Sequence, residues 1–136
     1  MPLRLSNQQS EIAVLVRPLR RRLESALPLL PRPLPAELTD IAFVLVDRAT
    51  MSRVHGDFLG DPSETDVITF PYGEILVCPA VARDQAKGYG LATQDEVLLY
   101  CLHGLLHLAG YDDTKPRLAR EMAEAQEKLL KRVLSL

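Results

Sequence analysis

Apolar positions along this chain change their period several times, and each change marks a different kind of element. Leu3 and Leu5 alternate with polar neighbours, the spacing of a short edge strand. From Ser10 onward, Ile12, Leu15, Leu19 and Leu23 recur at intervals of three and four, which predicts an amphipathic helix ending before Pro28. The segment from Leu27 to Pro35 holds four prolines and cannot form a regular element, so it reads as a connector. Ile41 to Val46 is apolar throughout, rich in β-branched and aromatic residues and short for a helix, and predicts a buried strand. Asp47 is placed to cap a short helix over Ala49 to Phe58, stopped by Gly60 and Pro62.

Two further apolar runs, Glu64 to Pro71 and Glu74 to Pro79, are split by Tyr72 and Gly73 and predict adjacent strands. A helix with Val81, Ala82, Gln85 and Ala86 follows, closed by Gly88 and Gly90. Thr93 and Glu96 have the spacing of a capping box, opening a helix whose apolar set Val97, Leu98, Cys101, Leu102, Leu105 and Leu108 is wide enough to be largely buried. Pro116 starts a terminal helix with Leu118, Met122, Ala125, Leu129 and Val133 on one stripe. The order of elements predicts an α+β fold, or α/β sandwich: a small mixed sheet of about four strands covered by helices, as one domain over residues 1–136.

Composition narrows the class. Of 136 residues, 47% are apolar and 25% charged with no tryptophan, which is ordinary for a globular domain. No secretory leader and no run of eighteen apolar residues is present, so a cytoplasmic chain without membrane contact is expected. Cys78 and Cys101 lie in apolar runs without Cys-x-x-Cys spacing and are expected to be buried free thiols. Sixteen basic against eighteen acidic residues argue against indiscriminate coating of nucleic acid. The basic residues gather early, however, with Arg17, Arg20, Arg21 and Arg22 forming either a solvated helix face or a phosphate-binding strip.

The chemistry concentrates at His103-Gly104-Leu105-Leu106-His107-Leu108-Ala109-Gly110-Tyr111-Asp112-Asp113, which holds two of the chain's three histidines. Residues four apart on a helix share a face, so both imidazoles can reach one ion. Gly110 can turn the chain back in the left-handed conformation, and Asp113, or Asp112, can then supply a third ligand. Three protein ligands and an open fourth position suit a catalytic zinc site. Zinc peptidases of the His-Glu-x-x-His kind need a glutamate directly after the first histidine, and position 104 is glycine, so that motif is excluded and peptidase chemistry is not expected.

This segment resembles the signature of the YbeY-type family of metal-dependent endoribonucleases, the ribosomal RNA maturation factors, which reads His-Gly-x-Leu-His-Leu-x-Gly-Tyr-Asp-His. Residues His103 to Asp112 fit it, and Asp113 stands where the family has its third histidine. Aspartate binds zinc at about 2.0–2.2 Å, nearly the same distance as histidine, and adds a negative charge. A second block, Thr65 to Pro71 with Gly73-Glu74-Ile75, resembles the family's Thr-Asp-Val-Leu-Ser-Phe-Pro and Gly-Asp-Ile. Counting back from Thr65 places the family's Leu-Asn asparagine on His55 and its Tyr-Arg-Gly on Phe58-Leu59-Gly60, so the family's arginine is Leu59 here.

The resemblance covers roughly residues 40 to 125 and implies the same architecture. It implies a single-strand-specific, zinc-dependent endoribonuclease acting in ribosomal RNA maturation and ribosome quality control. Ribosomal RNA and a ribosomal subunit or ribosomal protein would be its partners. Zn2+, or another divalent metal, would be held by His103, His107 and Asp113, and Asp66 and His55 are the candidates for a general base. Two other readings compete: a ribosome-associated binding protein with a structural metal, and a small-molecule metallohydrolase.

Overall fold

The structure, a computed structural model, describes residues 2–60, 65–89 and 92–136. Burial alternates along β2 (Ile41–Leu45): Ile41, Phe43 and Leu45 are fully buried, while Ala42 and Val44 are partly covered on the opposite face. Both faces of this strand are therefore covered, as its unbroken apolar run requires. It lies inside a four-stranded sheet ordered β1-β2-β4-β3, where β1 is Leu3–Asn7, β3 is Val67–Phe70 and β4 is Glu74–Val77. The β1–β2 and β2–β4 pairings are parallel, and the short turn at Tyr72 and Gly73 makes β3–β4 antiparallel. Gly73 has φ +108°, and a Cβ there would lie 2.7 Å from the Asp40 carbonyl oxygen, so glycine is required at this turn.

Helices α1 (Val16–Ala26), α4 (Thr93–Leu108) and α5 (Pro116–Leu134) cover one face through a core of Leu19, Leu23, Phe43, Ile75, Leu102, Leu105 and Met122. The other face is smaller, with Met51 of α2 (Arg48–Leu59) and Ala80 and Val81 of α3 (Pro79–Tyr89) packed on Ile68 and Leu76. The architecture is thus the expected α+β sandwich with a mixed four-stranded sheet. Helix α4 is its central element, in contact with α1, α3, α5, β3 and β4. Gly104 favours this: a Cβ at that position would lie 2.7 Å from Ile75 Cγ2, so a larger residue would force Ile75 to move or α4 to lift from β4.

Several local expectations are corrected. The first helix begins at Val16, not Ser10, because Ile12 packs into the smaller core while Leu19 and Leu23 enter the larger one on the opposite face of the sheet. Residues with helical spacing thus serve two different layers, and Leu15 between them is exposed. The capping box at Thr93 does not form: the cap residue is Ala92, no side chain caps the helix, and Glu96 is turned inward to 4% exposure. Helix α3 runs through Gly88 to Tyr89, while Gly90, Pro62 and Glu64, which entered the expected helix ends and strand start, lie outside the described residues. Asp47 does cap α2, accepting the Thr50 N–H at 2.7 Å, which holds its carboxyl below the usual range. Cys78 and Cys101 are buried free thiols, each pushed up by burial. Among the described residues, no helix is long and apolar enough to cross a membrane.

Candidate metal centre

The last turn of α4 ends in a Schellman arrangement. Gly110 takes φ +98°, its N–H bonds the His107 carbonyl at 3.0 Å, and the Tyr111 N–H bonds the Leu106 carbonyl at 3.0 Å. This reversal brings the following loop back along the helix. Asp112 stays within the loop, accepting the Thr114 N–H at 3.0 Å and the Thr114 hydroxyl at 2.9 Å, bonds that hold its carboxyl below the usual carboxylate range. Asp113 turns the other way, and its Oδ2 lies 3.7 Å from both His103 Nε2 and His107 Nε2.

The two histidine Nε2 atoms are themselves 3.1 Å apart, and the ligand atoms of His103, His107 and Asp113 lie within 4.8 Å of one another. Two ligands at zinc distance in a tetrahedron are separated by about 3.3 Å, so these three atoms need shift only by tenths of an ångström. The opposite ring nitrogens decide what the facing ones are. His107 Nδ1 faces the Tyr111 carbonyl oxygen at 3.1 Å, which can only accept, so this nitrogen carries the proton. His103 Nδ1 faces Gln126 Oε1 at 2.6 Å and donates likewise. With Nδ1 so engaged on each ring, both Nε2 atoms face each other and a carboxylate oxygen across the gap where a cation would sit. That is the orientation and support that metal-binding histidines use. The donor set fits a divalent metal.

These residues line a cleft of about 640 Å³ together with Asp66, Val67 and Thr69. Asp66 reaches the cleft from the segment just before β3, where its Oδ1 accepts the Val67 N–H at 2.7 Å. His55 does not share this cleft. It lies on α2 in a neighbouring cavity with Phe58 and Leu59. Leu59, at the position matching the family's arginine, is 61% exposed there. A different arginine stands near the metal-binding loop: Arg32, from the proline-rich connector, stacks on the Tyr111 ring at 3.8 Å and pairs with Glu121 at 3.7 Å. The early basic run is partly engaged, since Arg20 donates to the Leu3 carbonyl and Arg22 pairs with Asp95 at 3.2 Å.

The sequence pattern passed over Gln126 and gave Glu96 a different role, that of a helix cap. Gln126 sits four residues after Met122 and three before Leu129, on the flank of the buried stripe of α5, and that position was its available signal. Glu96 lies seven residues before His103, hence on the same side of α4. Among the described residues its Oε2 has no hydrogen-bond partner, and its carboxyl is pushed up, first by burial and then by the charge of Asp66.

Comparison with known proteins follows the same lines. A family model described as Endoribonuclease YbeY matches residues 4–134. A Kineococcus radiotolerans protein named Endoribonuclease YbeY is 39% identical over 110 residues, which are 68% of this chain and 64% of that protein. A Thermobifida fusca protein of the same name is 36% identical over 110 residues, covering 68% and 71% of the two chains. The solution structure of TM1509 from Thermotoga maritima superposes with a TM-score of 0.70 at 27% identity, over 98% of this chain and 89% of that one.

Proposed function

Because the chain belongs to the Endoribonuclease YbeY family, whose named members are hydrolases that cut RNA internally, we propose that it is a zinc-dependent endoribonuclease acting on single-stranded ribosomal RNA during maturation and quality control of ribosomes. The reading treats residues 1–136 as one catalytic domain working in the cytoplasm, where its substrate is assembled. One observation carries it: three ligand atoms, from His103, His107 and Asp113, converge in a solvent-open cleft with both histidine Nδ1 protons committed elsewhere. A structural site would be closed by a fourth protein ligand, whereas this one ends at three among the described residues.

Zinc held there would act as a Lewis acid toward a phosphoryl oxygen and would make its own water a nucleophile near neutral pH. The chain's residues supply the rest. Gln126 and the Tyr111 carbonyl keep the imidazoles oriented and in the binding tautomer. Asp66 is the candidate proton acceptor, because its Oδ1 is held by the Val67 N–H while the carboxylate faces the cleft that contains the two histidines. His55, in the other cavity, loses that role in this reading.

The cleft offers the phosphate little positive charge of its own. Asp66, Asp113 and Glu37 line it, and Leu59 has replaced a fixed cation. Cleavage of free oligonucleotides is therefore expected to be weak, with a ribosomal subunit or ribosomal protein positioning the substrate. The same features favour the second reading, a ribosome-associated binding protein whose metal is structural. The test is cleavage of single-stranded ribosomal RNA, alone and on ribosomal subunits, with and without a chelator. Cleavage that a chelator stops and zinc restores supports the enzyme. A chelator that unfolds the protein, with no cleavage under any condition, supports the binding protein.

A further inference from the structure

We propose that the aromatic surface formed by the exposed Phe58 and Tyr72 with the half-buried Phe70 between them is a base-stacking subsite that grips the substrate strand beside the metal cleft, an inference resting on the ribonuclease reading above. Phe58 is 68% exposed and Tyr72 66% exposed, with the Tyr72 hydroxyl donating to Glu74 at 3.0 Å and its ring face left open. They are not scattered. The Phe58 and Phe70 rings meet edge to face at 5.4 Å, and Phe70 and Tyr72 stack at 5.6 Å with an interplanar angle of 21°. The three rings thus form one continuous apolar surface across the end of α2 and the β3–β4 turn.

This surface joins the candidate active site. The cavity beside Phe58 and Phe70, about 450 Å³, shares Val67, Thr69 and Pro71 with the metal cleft. Alternation along β3 explains the sharing: Val67 and Thr69 face the cleft, whereas Ile68 and Phe70 face the smaller core. Among the described residues β3 is an edge strand with β4 alone beside it, so the two cavities meet around its outer edge. A strand cut internally must continue on both sides of the scissile bond, and this edge is a path out of the cleft.

Chemistry favours bases as the occupant. The cleft is acidic, so phosphate contacts contribute little, whereas aromatic faces bind any base and do so without sequence preference. Only unpaired nucleotides can offer their faces, which gives a physical origin for a preference for single strands. Leu59 beside Phe58 extends the apolar surface where a cation would have broken it.

The experiment compares the full chain with a Phe58→Ala/Tyr72→Ala variant, both rings being exposed and outside the metal cluster. The probes are a short oligoadenylate carrying 2-aminopurine and an abasic oligonucleotide of equal length. The unmodified protein should prefer the oligoadenylate, quenching its fluorescence, and the double variant should bind it about tenfold or more weakly, with abasic binding unchanged. Cleavage should show KM raised by a similar factor with kcat nearly constant, and Phe58→Trp/Tyr72→Ala should restore binding to the single Tyr72→Ala level or better. Equal oligoadenylate binding by variant and unmodified protein would overturn the proposal, as would a variant that changes only the oligomeric state, which would mark the face as an interface between copies. The two readings separate cleanly. Ring-dependent binding without any cleavage keeps the subsite and removes the ribonuclease; cleavage with ring-independent binding does the reverse.

Discussion

At the carboxyl end of α4 each histidine Nδ1 faces an oxygen, from Gln126 and from Tyr111, whereas nearer its amino end Glu96 is almost fully buried and its Oε2 faces no partner among the described residues. Val97, Leu98, Leu102 and Leu105 are buried along the same helix, but the histidines are partly exposed and Asp113 is exposed, whereas Glu96 is enclosed. The arrangement of the polar atoms differs as well. At the histidine end two Nε2 atoms and one carboxylate oxygen converge on an open cleft, and a cation satisfies all three at once. At the glutamate end a single orphan carboxyl is enclosed in protein, and the simplest relief is a proton. Polar atoms on one helix thus give a candidate metal site at the open end and a raised carboxyl pKa at the enclosed one.

The largest effect should come from removing a ligand. His103→Ala or His107→Ala is expected to weaken zinc binding more than about a hundredfold, beyond what loss of a supporting partner causes. Mass spectrometry of protein purified without added metal would measure it, and a full equivalent retained by His103→Ala would show that the site lies elsewhere. Asp113→His should retain the metal and Asp113→Ala weaken it, while Asp112→Ala, which loses only a turn, should leave affinity closer to the original. Next comes Gln126→Ala. It leaves all three ligands in place but releases the His103 ring, so affinity should fall about tenfold to a hundredfold. A competition titration with a chromogenic chelator reads this directly, and unchanged affinity would mean that the two ends of α4 do not differ through their partners.

Gly104→Ala probes what holds both ends against the sheet. The added Cβ meets Ile75 Cγ2 at 2.7 Å and Cδ1 at 2.9 Å, so Ile75 must move or α4 must lift from β4. Overpacking of this kind costs about 1–3 kcal/mol, readable as a shift of the urea midpoint. A loss of metal affinity without a loss of stability would instead place Gly104 in the site's geometry.

Short-range pattern made much of this legible in advance. Spacing put His103 and His107 on one helix face, and a glycine at position 110 announced the turn that brings Asp113 back to them. The unbroken run at Ile41–Leu45 likewise announced a strand covered on both faces. What periodicity could not supply was which layer an apolar residue enters: Ile12 and Leu19 share a helical spacing but pack on opposite faces of the sheet. Nor could it supply partners from distant elements, such as Gln126 for His103. Thr93 and Glu96 misled for a related reason. Their spacing suits a cap, but tertiary packing starts the helix one residue off that register and turns Glu96 into the protein, a burial that no local rule encodes.

That misreading leads to the smallest predicted effect. The folded state raises the Glu96 pKa above the unfolded value, chiefly through burial and secondarily through the Asp66 charge. Between the two pKa values the folded protein holds a proton that the unfolded chain has released, so stability falls as pH rises through that window. Below the unfolded value, near 4.5, both states are protonated and Glu96 contributes no pH dependence. Glu96→Gln removes the charge and keeps the shape. Its urea midpoint should match the unmodified protein's in acid and exceed it above the folded pKa, by about 1 kcal/mol in stability. Asp66→Asn should narrow the gap, because it removes the secondary cause while leaving burial intact. If Glu96→Gln were less stable at every pH, the carboxylate would have a partner worth keeping, and the contrast between the two ends of α4 would disappear.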